Sequence, residues 1–205
     1  MKIILTSSNT KLTPENKTLL QDLEGLFPTA EPIPRRNRHF SQFLKEEAEG
    51  EALIIRLDQV DVTRKRLLLI RKDASGELTT SSYSVVSFVL CKNLGGTVDS
   101  GHMPEITLTN FDDSENDQRT IRDIEAIFGE ENPAFEGRQV VSFTKKRGFI
   151  ICRKHRYIIR LPEDPAGTEK VRFDEIGPRL AIKLQAVDVD NAYIFKHTKN
   201  VKLKD

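Results

Sequence analysis

The chain has no tryptophan and only two cysteines and two methionines in 205 residues. Cys91 and Cys152 lie in separate apolar, strand-like runs, and neither has a second Cys or a His at ligand spacing. That pattern argues against a disulfide scaffold and against a zinc cluster, and predicts two buried thiols in a reducing compartment. No apolar run approaches the roughly 20 residues of a bilayer span, and the first residues lack the charged, apolar, small-residue order of a secretion signal. The expectation is an intracellular soluble protein with no membrane partner. Without tryptophan, eleven phenylalanines together with Leu and Ile must supply the bulk of the core. A hydrophobic share of 38% against 31% charged residues is the polar end of the globular range, and the length suits one large domain or two small ones.

Motifs that carry chemistry are equally scarce. There is no Walker-type phosphate loop, no GxGxxG after a strand, no HExxH and no CxxC. His39, His102, His155 and His197 are scattered, with no nucleophile or orienting acid at a recognisable local spacing. Gly95-Gly96 reads as a turn. The run Asp112-Asp113-Ser114-Glu115 lacks the alternation and central Gly of a calcium loop and fits the N-terminus of a helix, where negative charge is favoured. These absences predict a protein that is not an enzyme, with no cofactor, no metal and no small-molecule substrate.

The informative quantity is local charge. The net charge is only +1, yet Asp112 to Glu136 holds nine acidic residues and two arginines, whereas Gly137 to Arg160 holds eight basic residues and no acid. The segment from Lys196 to Lys204 adds four lysines and His197. Basic triplets occur at Arg35, Arg36 and Arg38, at Arg64, Lys65 and Arg66, at Lys145, Lys146 and Arg147, and at Arg153, Lys154 and Arg156. Two readings stand side by side: solvated turns, or a surface that holds a polyanion through phosphate contacts and weakens steeply with salt. Phe149 and Tyr157 could stack on bases, but their alternation with Ile151 and Ile159 favours packing in the core.

Organisation follows from periodicity and punctuation. "KIILTSSN" reads as a strand entering a turn. Thr13 and Pro14 predict an N-cap and first helical turn, with Leu19, Leu20, Leu23, Leu26 and Phe27 on one face and Pro28 as a stop. "AEPIPRRNR" is an extended connection, and Ser41 is a candidate cap for a second helix through "QFLKEEAE". "ALIIRLD", "RLLLIRK" and "YSVVSFVLCKN" read as strands. After the linker-like "NLGGTVDSG" the pattern starts again: "EITLTNFD" resembles "KIILTSSN", and "DIEAIF" resembles "DLEGLF". An internal duplication is the expectation, dividing the chain into residues 1–98, residues 99–190 and a basic arm at 191–205. In the second half, "RQVVSFT" and "FIICRKHRYIIRL" form a hairpin closed by a three-to-five-residue loop ending at Gly148, with Lys145 to Arg147 on its tip. A last strand runs from Leu180 to Val189.

The segment "EIGPRLAIKL", Glu175 to Leu184, resembles the closing signature of the Brix-domain family of ribosome-assembly factors. "ILTSSN", "LFPTAEPIPRR" and "RQVVSFTKKRGFIICRKHRYI" agree with that family in order and spacing, so the likeness spans Lys2 to about Val189. It implies an α/β Brix fold of two similar halves, each resembling an anticodon-binding domain. It implies a non-catalytic role in ribosome biogenesis: binding ribosomal RNA of the large-subunit (60S) precursor during rRNA processing, in the nucleolus or nucleus, alongside ribosomal proteins and a maintenance-of-killer-type assembly factor. A protein-interaction module in the pre-ribosome and a small-subunit paralogue are the alternatives. Arg179, in "GPR", joins the twelve cations above as a candidate RNA contact. The sequence departs from the family pattern at Glu77 to Phe88 and at Asp112 to Asn116, and begins directly in its first strand without a basic extension. The resemblance is therefore to a shortened, diverged member that relies more on protein contacts.

Overall fold

Runs rich in Ile, Leu and Val, punctuated by Gly, Pro, Asn and Asp, become ten strands that hydrogen-bond into one mixed sheet in the computed structural model. It describes residues 1–7, 12–61, 63–95, 103–129, 138–160 and 170–187. The first half contributes β1 (Lys2–Ser7), α1 (Pro14–Leu26), β2 (Glu31–Pro32), α2 (Phe40–Glu47), β3 (Ala52–Gln59), β4 (Lys65–Lys72) and β5 (Leu78–Val89). A short 3-10 turn, Cys91–Asn93, follows β5. The second half contributes β6 (Glu105–Thr109), α3 (Glu115–Phe128), β7 (Gln139–Lys146), β8 (Phe149–Arg160), β9 (Lys170–Glu175) and β10 (Arg179–Val187).

The strand order is β2-β1-β3-β4-β5-β10-β8-β7-β6, with β9 paired to β8. Parallel β1 and β3 are matched by parallel β6 and β7 at the far end; antiparallel β3-β4 and β7-β8 follow inward in both. The repeat read from "LTSSN/LTNFD" and "DLEGLF/DIEAIF" is thus a repeat of strand, helix, parallel strand and hairpin. The two copies meet where β10 runs antiparallel to β5 from Arg179↔Val89 to Val187↔Ser81. The expected boundary between residues 98 and 99 and the arm at 191–205 lie outside the described residues.

Helix α1 starts where expected: Thr13 accepts from the Asn16 amide at 3.3 Å and Pro14 occupies the first turn. Its Leu19, Leu23 and Leu26 are buried with Ile124, Ile127 and Phe128 of α3 on one face of the sheet. The rings of Phe27 and Phe128, and of Phe128 and Phe143, meet edge-on with centroids 5.9 Å apart, and the Thr29 hydroxyl donates to the Ile127 carbonyl at 2.7 Å. Tyr83 on β5 donates to Asp123 of α3 at 2.8 Å, so α3 is also tied to the middle of the sheet. Burial and the neighbouring Asp123 carboxylate push the Tyr83 phenol well above its ordinary range.

Among the described residues, a helix covers the opposite face only in the first half. There α2 buries Phe40, Phe43 and Leu44 against Ile4, Ala52, Ile54, Leu68 and Ile70. The N-cap of α2 is His39, so Ser41 lies inside the helix and does not cap it.

Three further expectations change. Arg147 and Gly148 both have positive φ, 53° and 78°, and Lys146 pairs with Phe149, so the β7-β8 loop is a two-residue turn. Lys145 and Lys146 are strand residues, and of the basic triplet Arg147 alone forms the tip. Cys91 leaves the strand for the 3-10 turn and is half-buried, whereas Cys152 is buried; both are free thiols. The segment before the Gly177 bend forms a strand of its own, β9, which periodicity did not single out. No described helix is long and apolar enough to cross a membrane.

Candidate nucleic-acid interface

Strand alternation sends neighbouring cations to opposite faces, and this sorts the basic triplets. On β7 and β8, Val141, Phe143 and Lys145 share the helix-covered face with Ile150, Cys152 and Lys154, as their cross-strand pairing requires. Lys145 reaches the start of α3, with Nζ 2.6 Å from Asp117 and 3.0 Å from Asp112. The Asp112 carboxylate also accepts from Ser114, and these bonds, Ser114 first and then Lys145, hold it well below the usual carboxylate range. The same two acids hold Lys145 above its ordinary value, with Asp117 the larger influence. Lys145 is therefore committed to the two acids at the start of α3.

Lys154 is 1% exposed, and its Nζ donates to the Gly25 carbonyl near the end of α1 at 2.7 Å. That carbonyl belongs to the group of helix-terminal oxygens that lack intrahelical donors. Lys154 is a core residue joining the halves; its expected place on a phosphate-binding surface is corrected by this burial.

Lys65 and Arg35 receive the same correction. Lys65 is buried, 4.7 Å above the Phe88 ring and 3.4 Å from Glu15. Arg35 is buried next to the fully buried Arg56, whose guanidinium grips Asp58 at 2.8 and 3.0 Å and lies 4.6 Å over the Phe40 ring. Desolvation, then the Arg56 charge, lowers the pKa of Arg35; Arg66, cross-strand from Asp58 and half-buried, is lowered chiefly by desolvation. Arg35, Arg56, Asp58 and Arg66 form a polar plug at the edge of the α2 layer, whereas Lys65 lies on the α1-covered face.

Other candidates are at the surface but engaged. Arg38 bonds Glu46 at 2.7 Å and Glu47 at 2.6 Å and stacks 5.2 Å over Phe43. Arg64 pairs with Asp61, which is held well below the usual carboxylate range first by the Arg64 backbone amide and then by its side chain. Arg179 pairs with Glu175 at 2.5 Å, and Arg156 is half-buried. Arg36 is not engaged: it is exposed in a left-handed conformation, with no ion pair among the described residues, but it stands in the first half, away from the β7-β8 hairpin.

Lys146, Arg147 and Arg153 remain. All three are exposed and have no ion-pair partner among the described residues. Lys146 and Arg153 point to the face opposite α3, with Phe149, Ile151 and His155. The Phe149 ring is 36% exposed there, which overturns its expected place in the core, whereas Tyr157 is 8% exposed and donates to Glu105 at 3.3 Å. Lys183 on β10 is exposed, with its ammonium 5.7 Å from the Phe149 ring centroid. Sequence reading passed over Lys183 because it stands alone rather than in a triplet. His155 is half-buried; desolvation, the largest influence, lowers its pKa, Glu175 opposes this, and Arg153 and Arg179 reinforce it. No group of three or more His, Cys, Asp or Glu among the described residues could hold a metal ion.

The Brix domain family matches residues 9–186. The chain belongs to the Brix domain family. Ribosome production factor 1 of Saccharomyces cerevisiae is 33% identical over 107 residues, covering 52% of this chain and 34% of that protein. Ribosome production factor 1 of Pongo abelii is 27% identical over 190 residues, covering 91% and 51%. The chain thus spans about half the length, or less, of these curated relatives. The crystal structure of a probable ribosomal biogenesis protein from Aeropyrum pernix K1 shares the fold, with a TM-score of 0.58 at 12% identity over 93% of this chain and 100% of that one.

In this Brix domain the "EIGPR" segment is the bend from β9 to β10 that locks the halves. The amides of Ile176 and Gly177 both donate to the Lys154 carbonyl, at 2.9 and 3.3 Å. Gly177 has φ +77°, and a Cβ there would stand 2.6 Å from Leu94 Cδ1, 3.0 Å from Cys91 Sγ and 3.1 Å from Cys91 Cα. Glycine is required by both the conformation and the space.

Proposed function

We propose that this Brix-domain protein is a ribosome-biogenesis factor that binds ribosomal RNA of the large-subunit precursor and acts there as a non-catalytic scaffold. The observation that carries the reading is the exposed cation group Lys146, Arg147 and Arg153, on a single hairpin and with no acid paired to it among the described residues. Such a group binds phosphates with little sequence readout, and its affinity falls with salt. The names of the relatives, ribosome production factor 1, support the biological setting. A nucleolar or nuclear location, ribosomal-protein neighbours and a partner of the maintenance-of-killer type belong to the same proposal, as does a division of the chain at residues 98 and 190. Of the thirteen sequence candidates, Arg36 and the half-buried Arg66, Arg156 and Arg179 remain as secondary contacts.

The test is to purify the tagged protein from its own cells and sequence the RNA that comes with it. Enrichment of large-subunit precursor RNA, lost progressively as salt rises, is the expected result. Enrichment of small-subunit precursor would assign the protein to the other particle, and pre-ribosomal proteins without RNA would favour a protein-interaction module. That second reading has its own observation: Val171 and Phe173 on β9 are 52% and 63% exposed, an apolar pair suited to a protein partner.

A further inference from the structure

The two halves repeat the same strand order but are not covered alike. In the first half, residues 27–51 link α1 to β3 and include α2, which covers the sheet face opposite α1. In the second half, residues 129–138 link α3 to β7, a connection less than half as long. Among the described residues no helix lies on the corresponding face of β6, β7, β8 and β10.

The composition of that face differs from the α2-covered one. Under α2 the sheet presents Ile4, Ala52, Ile54, Leu68 and Ile70. On the bare face, Thr107 and Thr109 of β6 pair with Ser142 and Thr144 of β7, which pair in turn with Arg153 and Ile151 of β8. Lys146 stands beside Phe149, and Lys183 lies over its ring. Around Phe149, hydroxyls, three exposed cations and one accessible ring make a poor seat for an apolar helix. They make a good one for an extended polyanion, because the cations can meet phosphates while the ring and hydroxyls meet bases and sugars. The acids on the face do not outweigh this charge: Glu175 is paired with Arg179, which leaves Glu105, a carboxylate that accepts from Tyr157, against three exposed cations. The exposed apolar pair Val171 and Phe173 lies farther along the same face, where β9 pairs with Ile159 and Tyr157 of β8.

We infer that the bare face of the second-half sheet is a binding platform for single-stranded RNA, with Phe149 as the stacking ring and Lys146, Arg153 and Lys183 as the phosphate contacts. This rests on the RNA-binding reading above and deepens it, since it adds Phe149 and Lys183 and specifies unpaired RNA. A duplex hides its base faces from a flat ring, so the platform discriminates against it.

The experiment measures anisotropy of a fluorescein-labelled twelve-nucleotide uridine oligomer and of a twelve-base-pair RNA duplex with the 205-residue protein. Phe149→Ala combined with Lys183→Gln should weaken the oligomer about tenfold and the duplex less than about twofold, given the usual worth of one stacked base. Lys17→Gln with Lys45→Gln, exposed on α1 and α2, is the off-face control and should leave both unchanged. If Lys146→Gln with Arg147→Gln weakens the oligomer while Phe149→Ala with Lys183→Gln does not, the platform is wrong and the RNA-binding reading stands. If the unmodified protein binds neither probe, both fall, and a protein-docking face takes their place. Should the double variant melt early, photocrosslinking of 4-thiouridine oligomer to the unmodified protein decides: crosslinks within 149–153 or 181–183 support the platform, and crosslinks confined to the first half overturn it.

Discussion

The ammonium of Lys154, in the second half, donates to the carbonyl of Gly25, in the first, at 2.7 Å, with the lysine 1% exposed. A cation at the C-terminal end of α1 also meets the negative end of the helix dipole. Lys154→Ala leaves a helix-end carbonyl without this donor and empties the space of the aliphatic stem. The expected cost is about 2–4 kcal/mol, read as a lower urea midpoint. RNA affinity of the folded fraction should not change, because the side chain never reaches the surface. A loss of RNA binding at unchanged stability would contradict this assignment.

Gly177 gives a second prediction about the same junction. Gly177→Ala must place a methyl 2.6 Å from Leu94 Cδ1 and 3.1 Å from Cys91 Cα while holding φ at +77°. Overpacking and an unfavourable backbone each cost about 1–3 kcal/mol, so the variant should melt several degrees lower. Gly148→Ala, also at positive φ but with nothing within 4 Å of the added carbon, should cost less. Equal melting points for the two variants would remove the close approach as the cause.

Much of the scaffold was legible in the residues, because its signals are local. Thr13-Pro14 and the leucine spacing of α1 specify a capped, one-sided helix, and the paired "DLEGLF" and "DIEAIF" segments specify the repeat. The interface was less legible. Lys145, Lys146, Lys154 and Arg153 are all simply basic in a string of letters, and only the register of β7 on β8 separates the ion-paired and core lysines from the exposed pair. Phe149 looked like core because it alternates with apolar neighbours. Alternation identifies two faces but not which of them a helix covers, and among the described residues only the first half has a helix on the second face. Lys183 carried no signal of its own; its position over Phe149 arises from β10 crossing to β8.

Acid should weaken the α3 end of the fold in a predictable sense. Asp112 is held below its ordinary 3.8 by Ser114 and Lys145, so its contribution to stability is present above that value and lost as pH falls through its lower folded value. Urea midpoints of the unmodified protein and of Asp112→Asn should therefore differ near neutrality and converge in strong acid. Lys145, held above its ordinary 10.5 by Asp117 and Asp112, contributes below 10.5 and loses that contribution as pH rises through the raised value. A gap between the two midpoint curves that stays constant from neutrality to strong acid would show that Asp112 acts through shape and not charge.

The adjacent lysines of the hairpin separate stability from binding in one comparison. Lys145→Gln removes the donor shared by Asp112 and Asp117 and should lower the urea midpoint, with little change in the salt dependence of RNA binding. Lys146→Gln touches no ion pair among the described residues and should leave the midpoint in place. Combined with Arg147→Gln, it removes the two phosphate contacts proposed for the hairpin. Each phosphate contact adds roughly 0.9 to the slope of log affinity against log salt on a duplex and about 0.7 on a single strand, so the slope should flatten by about 1.4 to 1.8. The measurement is a salt titration of oligomer anisotropy for the three proteins. If Lys145→Gln flattens the slope as much as the Lys146 and Arg147 pair, the hairpin binds RNA with both faces, and the partition of its charges by strand alternation is wrong.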